Sequence, residues 1–179
     1  MAYPKITVNT GLSLSVIASD TLPIPAPDLP QITGTADTNT TDKLVDTSAN
    51  FSTVNVGDIV YNTTDNTSGA VTAVDSTTAL SFATDLFPDG NENYIIFTAG
   101  PIGFNERISS SEGCLLYVGS NATISAVADE YVDVKVKTTA GSIVTFTKFP
   151  IGNYLPVQVV QLYATGTDAA ADNNCIAIW

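Results

Sequence analysis

From Val132 to Lys137 the chain reads Val-Asp-Val-Lys-Val-Lys, with apolar and charged residues alternating at every step. A period of two places the valines on one face and the charges on the other, the pattern of a strand with one wet side. A second alternating run carries Ile6 and Val8, then Leu12, Leu14, Val16 and Ala18, and Thr10-Gly11 breaks it into two strands. No stretch carries the 3.6-residue period of a long amphipathic helix, so helix is expected only as a turn or two near 169–173. Residues 155–163 carry apolar side chains on both faces, which suits a strand buried between layers or at a subunit contact.

The remaining strands are expected at 43–45, 58–63, 70–74, 79–82 and 94–97, and then at 115–118, 122–127, 142–149 and 175–179. Turn signals separate the first group: Val56-Gly57-Asp58, Asp65 to Gly69, Asp75-Ser76-Thr77 and Pro88-Asp89-Gly90-Asn91. Four prolines between Leu22 and Pro30 impose an extended path that cannot enter a sheet interior, and this segment is read as a stiff linker. Texture also changes there, since residues 31–97 are richer in Thr, Asp and Asn. The expected fold is therefore all-β: an antiparallel, jelly-roll-like sandwich of residues 1–30 plus 98–179. Residues 31–97 are expected as an exposed, inserted module, itself a small barrel or sandwich.

Charge narrows the partners. Of 179 residues, six are basic and 18 acidic, for a net charge of −12. The five lysines and Arg107 are scattered, so nothing here displaces counterions from phosphates, and no nucleic-acid partner is expected. The same charge disfavours anionic membranes, and no apolar run approaches the ~18 residues of a spanning helix. Met1 to Ile6 lacks the charged-then-apolar pattern of a secretion signal. Cys114 and Cys175 sit among strand-like apolar residues and read as buried free thiols, although neighbouring strands would permit a disulfide.

Chemistry is scarce. The chain has no histidine, which removes the commonest general base and metal ligand, and two distant cysteines cannot complete a zinc site. Paired carboxylates would have to come from Asp129, Glu130 and Asp133, or from Asp85, Asp89 and Glu92; both groups read as solvated loops. Asp89 to Asn93 begins like a calcium loop, but Tyr94 stands where its turning glycine belongs; Asp37 to Asp42 is equally incomplete. No enzyme activity, cofactor or metal is expected.

The C-terminal third is more specific. It contains Phe149-Pro-Ile-Gly-Asn-Tyr-Leu-Pro-Val-Gln-Val-Val-Gln-Leu-Tyr-Ala-Thr-Gly-Thr167, then Ile176-Ala-Ile-Trp179 at the end. Upstream stand Gly113-Cys-Leu-Leu-Tyr-Val-Gly119 and Val144-Thr-Phe146. Together these resemble the head spike-base proteins of gene transfer agents and related head-decorating proteins of phages. The run from Val16 to Pro25 resembles the N-terminal strand of marine phage virion proteins. The module carrying Phe51 and Val56-Gly-Asp-Ile-Val-Tyr-Asn62 looks like an accessory domain of phage structural proteins.

The resemblance implies a structural protein on the outer surface of the phage head, as a decoration, cement or spike-base protein. It would bind the major capsid protein or other virion proteins and form a symmetric oligomer, a trimer or pentamer. The expected contact residues are Tyr3, Ile6, Leu22, Ile24, Tyr154, Leu155 and Trp179. The alternative is a tail component or a host-glycan adhesin, for which Tyr61, Phe87 and Tyr94 of the module are the only candidate sugar platforms.

Overall fold

The valines of 132–137 do line one side of a strand, and everything in the first unit is built over them. The computed structural model describes residues 12–25, 31–98, 113–120, 130–168, 171 and 174–179. It is all-β, essentially without helix, with antiparallel sheets of which none closes into a barrel. The chain divides into two compact units, Met1–Ile24 with Ser110–Trp179, and Pro25–Ser109. The expected strand at 122–127, the first half of the N-terminal alternation, residues 26–30 of the linker and most of 169–173 lie outside the described residues.

In the first unit, β1 (Ser13–Val16), β9 (Leu115–Val118), β12 (Asn153–Tyr154) and β14 (Cys175–Ile178) form one sheet in the order β1-β14-β9-β12. The other sheet holds β10 (Tyr131–Thr138), β11 (Ile143–Pro150) and β13 (Val159–Leu162) in the order β11-β10-β13. Val132, Val134 and Val136 of β10 pack into one buried cluster with Leu116 and Val118 of β9 and Cys175 and Ala177 of β14. Shared burial of this kind makes the two sheets a sandwich. Cys114 and Val159 exchange two backbone hydrogen bonds of 2.9 Å, joining the sheets at one corner.

β13 is buried along its whole length, as its two-sided apolar pattern requires. Its second edge, away from β10, is hydrogen-bonded from within the chain. Ser19 N–H donates to the Leu162 carbonyl and Ile24 N–H to the Val160 carbonyl, each at 2.9 Å, while Gln161 Nε2 donates to the Ser19 carbonyl at 3.0 Å. The start of the expected linker is thus hydrogen-bonded along β13. Prolines without an N–H do not prevent this, because Ile24 supplies the donor between them.

The second unit contains β2 (Gln31–Thr35), β3 (Lys43–Val45), β4 (Ile59–Asn62), β5 (Thr67–Ala70), β6 (Ala73–Ser76), β7 (Ala79–Ser81) and β8 (Asn93–Phe97). Its sheets run β2-β8-β4-β5 and β3-β7-β6. Phe51, Phe87, Leu44, Leu80, Tyr94 and Ile96 fill its core, with Phe51 and Phe87 edge-on to Tyr94. Of the two expected forms of this module, the barrel does not occur.

Two local expectations change. The strand expected at 70–74 is interrupted: β5 ends at Ala70 and β6 begins at Ala73, and the last three residues of the expected Asp65-to-Gly69 turn belong to β5. The turn itself falls earlier, because Asn62 Oδ1 accepts the N–H groups of Thr64 and Asp65, and Asn66 takes a φ of 55°. β2 is not among the expected strands, since Gly34 interrupts its pattern. That glycine leaves room for the Tyr94 hydroxyl to reach Asp46, since a Cβ there would collide with Tyr94 Oη.

Candidate interaction surface

Antiparallel sheets that face water usually turn polar side chains outward. The four-stranded sheet of the first unit does so only on β1, through Ser13 and Ser15. Leu116, Val118, Cys175 and Ala177 point into the core, so Leu115, Tyr117, Ile176 and Ile178 point out. Register brings these into rows across the strands. Ser15, Ile176, Tyr117 and Tyr154 lie side by side in one row, and Ser13, Ile178 and Leu115 in the next. Tyr117 and Tyr154 meet edge to face with ring centroids 5.4 Å apart. Tyr154 is 54% exposed and Ile176 38%. None of these residues carries a charge.

Gly152 prepares the row's outer end. Its φ of 78° turns the chain into β12, and its N–H donates to the Val118 carbonyl at 2.8 Å, laying Tyr154 beside Tyr117.

Of the expected contact residues, Tyr154 belongs to this surface. Leu155 does not: it is 1% exposed in the first core, with its N–H bonded to the Leu116 carbonyl, so it is corrected to a core residue. The reason is strand parity, which turns Leu155 inward when Tyr154 faces out. Ile24 and Trp179 pack part-buried against the same core, and the Trp179 N–H donates to the Leu12 carbonyl at 3.0 Å. Leu22 is half-buried, with its N–H on Ser19 Oγ at 3.1 Å. Tyr3 and Ile6 lie outside the described residues.

Several of the carboxylates hold the fold together, while Asp129 lies outside the described residues. Asp133 Oδ1 accepts the Lys148 N–H at 2.8 Å, and Asp168 Oδ2 accepts the Asp133 N–H at 2.7 Å. Glu92 is buried, with Oε1 on Asn62 Nδ2 at 2.8 Å and Oε2 on the Asp89 N–H at 3.2 Å. Burial pushes its carboxyl up, but hydrogen bonds from Asn62, Asp65 and the backbone of Asp89 and Gly90 outweigh this and leave it lowered. Asp65 is raised, first by its hydrogen bond with Glu92, then by desolvation and the charges of Glu92 and Asp89. Asp37 Oδ2 takes both the N–H and hydroxyl of Thr47, at 2.6 and 2.7 Å, which lowers its pKa.

One grouping resembles a nucleophile with its base. Lys43 Nζ lies 3.2 Å from Ser81 Oγ, on β3 and β7. The same ammonium is 2.6 Å from Asp75 Oδ2, and the Ser81 hydroxyl donates to that oxygen at 2.7 Å. An ammonium held by a carboxylate is a poor proton acceptor, and the serine proton points at Asp75, so this is a surface ion pair. Among the described residues no group of three or more His, Cys, Asp or Glu is placed to hold a metal ion.

Tyr61, Phe87 and Tyr94, the candidate sugar platforms, are all buried in the second unit and offer no ring face to a ligand. The apolar outward rows were legible only in part. Tyr154 is among the expected contact residues, but Leu115, Tyr117 and Ile176 are not, because only register separates the two faces of their strands. Comparison of the chain with family models, curated proteins and solved structures finds no match.

Proposed function

We propose that this chain is a non-enzymatic structural protein of a bacteriophage particle, a decoration, cement or spike-base protein on the outer surface of the head. The outward rows of Leu115, Tyr117, Tyr154, Ile176 and Ile178 carry this reading. A charge-free apolar sheet face in a chain of net charge −12 is suited to being covered by another protein. Covering it would contribute on the order of 1 kcal/mol for each partly exposed side chain. The major capsid protein or another virion protein is the occupant this reading assigns, and copies of the chain would repeat with the particle's symmetry.

The sequence resemblance supports the same reading through residues with structural duties: Gly152 and Gly166 adopt positive φ values of 78° and 94° at corners. Gold-labelling of a tagged chain on purified particles tests the proposal. Label on the head, lost when Tyr117 and Ile176 are both changed to Asp in a chain that still folds, is the expected result. Label confined to the tail replaces the head placement, and absence of the chain from particles rejects the proposal.

A further inference from the structure

β11 is an edge of its sheet, and among the described residues no strand pairs with its outer side. Its backbone orientation follows from its neighbour. Lys135 N–H donates to Thr167 Oγ1 at 3.0 Å and the Lys135 carbonyl accepts Tyr163 N–H at 2.9 Å, so both groups turn away from β11. Thr145 stands directly opposite Lys135. In an antiparallel ladder that is a non-hydrogen-bonded pair, and Thr145 directs its own N–H and carbonyl toward the open edge. Ile143, opposite Lys137, does the same two residues earlier.

The far end of the strand is closed to pairing. An extra residue bulges β11 between the partners of Val132 and Val134, with Lys148 at a φ of 51°, and Pro150 has no N–H. The near end carries no such protection. Val144 and Phe146 lie opposite Val136 and Val134, on the core-facing side, yet Val144 is 37% exposed and Phe146 only part-buried. They overhang the sandwich.

We propose that a second copy of this chain adds its own β11 antiparallel across this edge, with the two Thr145 residues facing each other. That register sets Val144 of each copy opposite Phe146 of the other and continues the apolar side across the joint. The register makes this edge complementary to itself, and charge does not oppose a second copy as the occupant. Over Ile143–Pro150 the strand has no Asp or Glu, in a chain of net charge −12, so two copies meet here without carboxylates in apposition. The one charge, Lys148, falls opposite Ser142 in this register. The contact is two-fold and self-closing, so it forms pairs and does not propagate. The inference rests on the reading of the chain as an assembly protein and names one contact of that assembly.

Sedimentation and amide hydrogen exchange of the full chain across a dilution series test it, with Thr145→Pro and Val144→Lys as variants. Thr145→Pro removes an outward N–H, which an edge strand tolerates, and Val144→Lys puts a charge into the joint. The mass should double with concentration, the Thr145 amide should exchange at least roughly tenfold more slowly in the pair, and both variants should stay monomeric with unchanged circular dichroism. If Thr145→Pro does not fold, Val144→Lys decides. Equal protection of Thr145 at every dilution would mean the chain covers its own edge, and overturns the proposal. Oligomers that survive both substitutions overturn this contact and leave assembly through another face standing. A monomer at all concentrations also overturns it, while the gold-labelling result decides separately whether the chain belongs to a particle.

Discussion

The Lys148 N–H donates to the Asp133 carboxylate across the β10–β11 ladder at 2.8 Å, at the residue where β11 bulges. Lys148 sits in the left-handed region, which a side chain with a Cβ occupies at a cost. Asp133 offsets that cost by giving the turned-out N–H an acceptor. A side chain that the alternation placed on the wet face of its strand is thus part of the sheet's geometry.

Asp133→Ala should therefore destabilise the chain by about 1 kcal/mol, the usual worth of one such hydrogen bond. Asp133→Asn, which keeps an acceptor oxygen, should cost less. Urea unfolding of the two variants and the parent checks the order.

Tyr94 Oη donates to buried Asp46 Oδ2 at 2.7 Å, in space that Gly34 leaves open. Tyr94→Phe should cost about 2 kcal/mol, because a carboxylate loses a buried donor. Gly34→Ala should cost a similar amount, about 2 kcal/mol, by overpacking. The double variant should cost less than the sum, since both remove the same bond. Burial first, then Asp46, holds the Tyr94 phenol far above its ordinary 10.0. A raised folded pKa contributes stability that is complete below the unfolded value and lost as pH rises through the folded one. Denaturant unfolding above about pH 10 should show the parent losing stability more steeply than Tyr94→Phe.

Asp65 is raised by its contact with Glu92, so its contribution has the same sign at the acid end. It is present in full below the unfolded value of 3.8 and lost as pH rises through the folded value. Asp65→Asn keeps a donor for Glu92 and has no proton to lose. The stability of this variant relative to the parent should rise as pH increases from the unfolded value of 3.8 through the raised folded one, as read by thermal unfolding in a buffer series. Asp20, Asp37 and Asp75, all lowered by hydrogen bonds, work in the opposite direction and affect parent and variant alike.

Both thiols should be silent in the native chain. Cys114 and Cys175 are buried and not joined in a disulfide, and burial pushes Cys114 up to about 12. Cys175 pairs with Val118, four positions along β9 from Cys114, a separation of roughly 13 Å at strand rise. That is too far for a disulfide. A thiol reagent should label neither cysteine without denaturant and both with it, and the mass should be the same under reducing and non-reducing conditions.

Some of this was written into local sequence. The alternation of Val132 to Lys137, the two-sided apolar run ending at Tyr163 and the glycines and asparagines between strands were enough for an all-β chain, because side-chain direction in a strand depends only on parity. The same local information placed β3 and β9 to the residue. Parity does not say which face meets the core. Leu155 and Tyr154 are adjacent, equally apolar in sequence, and opposite in role. Only the pairing of β12 with β9, and the second sheet closing over one side, sent Leu155 inward and left Tyr154 out. Likewise, nothing near Asp133 announces that it caps a bulge 15 residues away, nor does Gly34 announce the hydroxyl of Tyr94. The alphabet of short strands was local; the choice of which apolar faces to cover was made by long-range pairing, since burial exists only once two sheets meet.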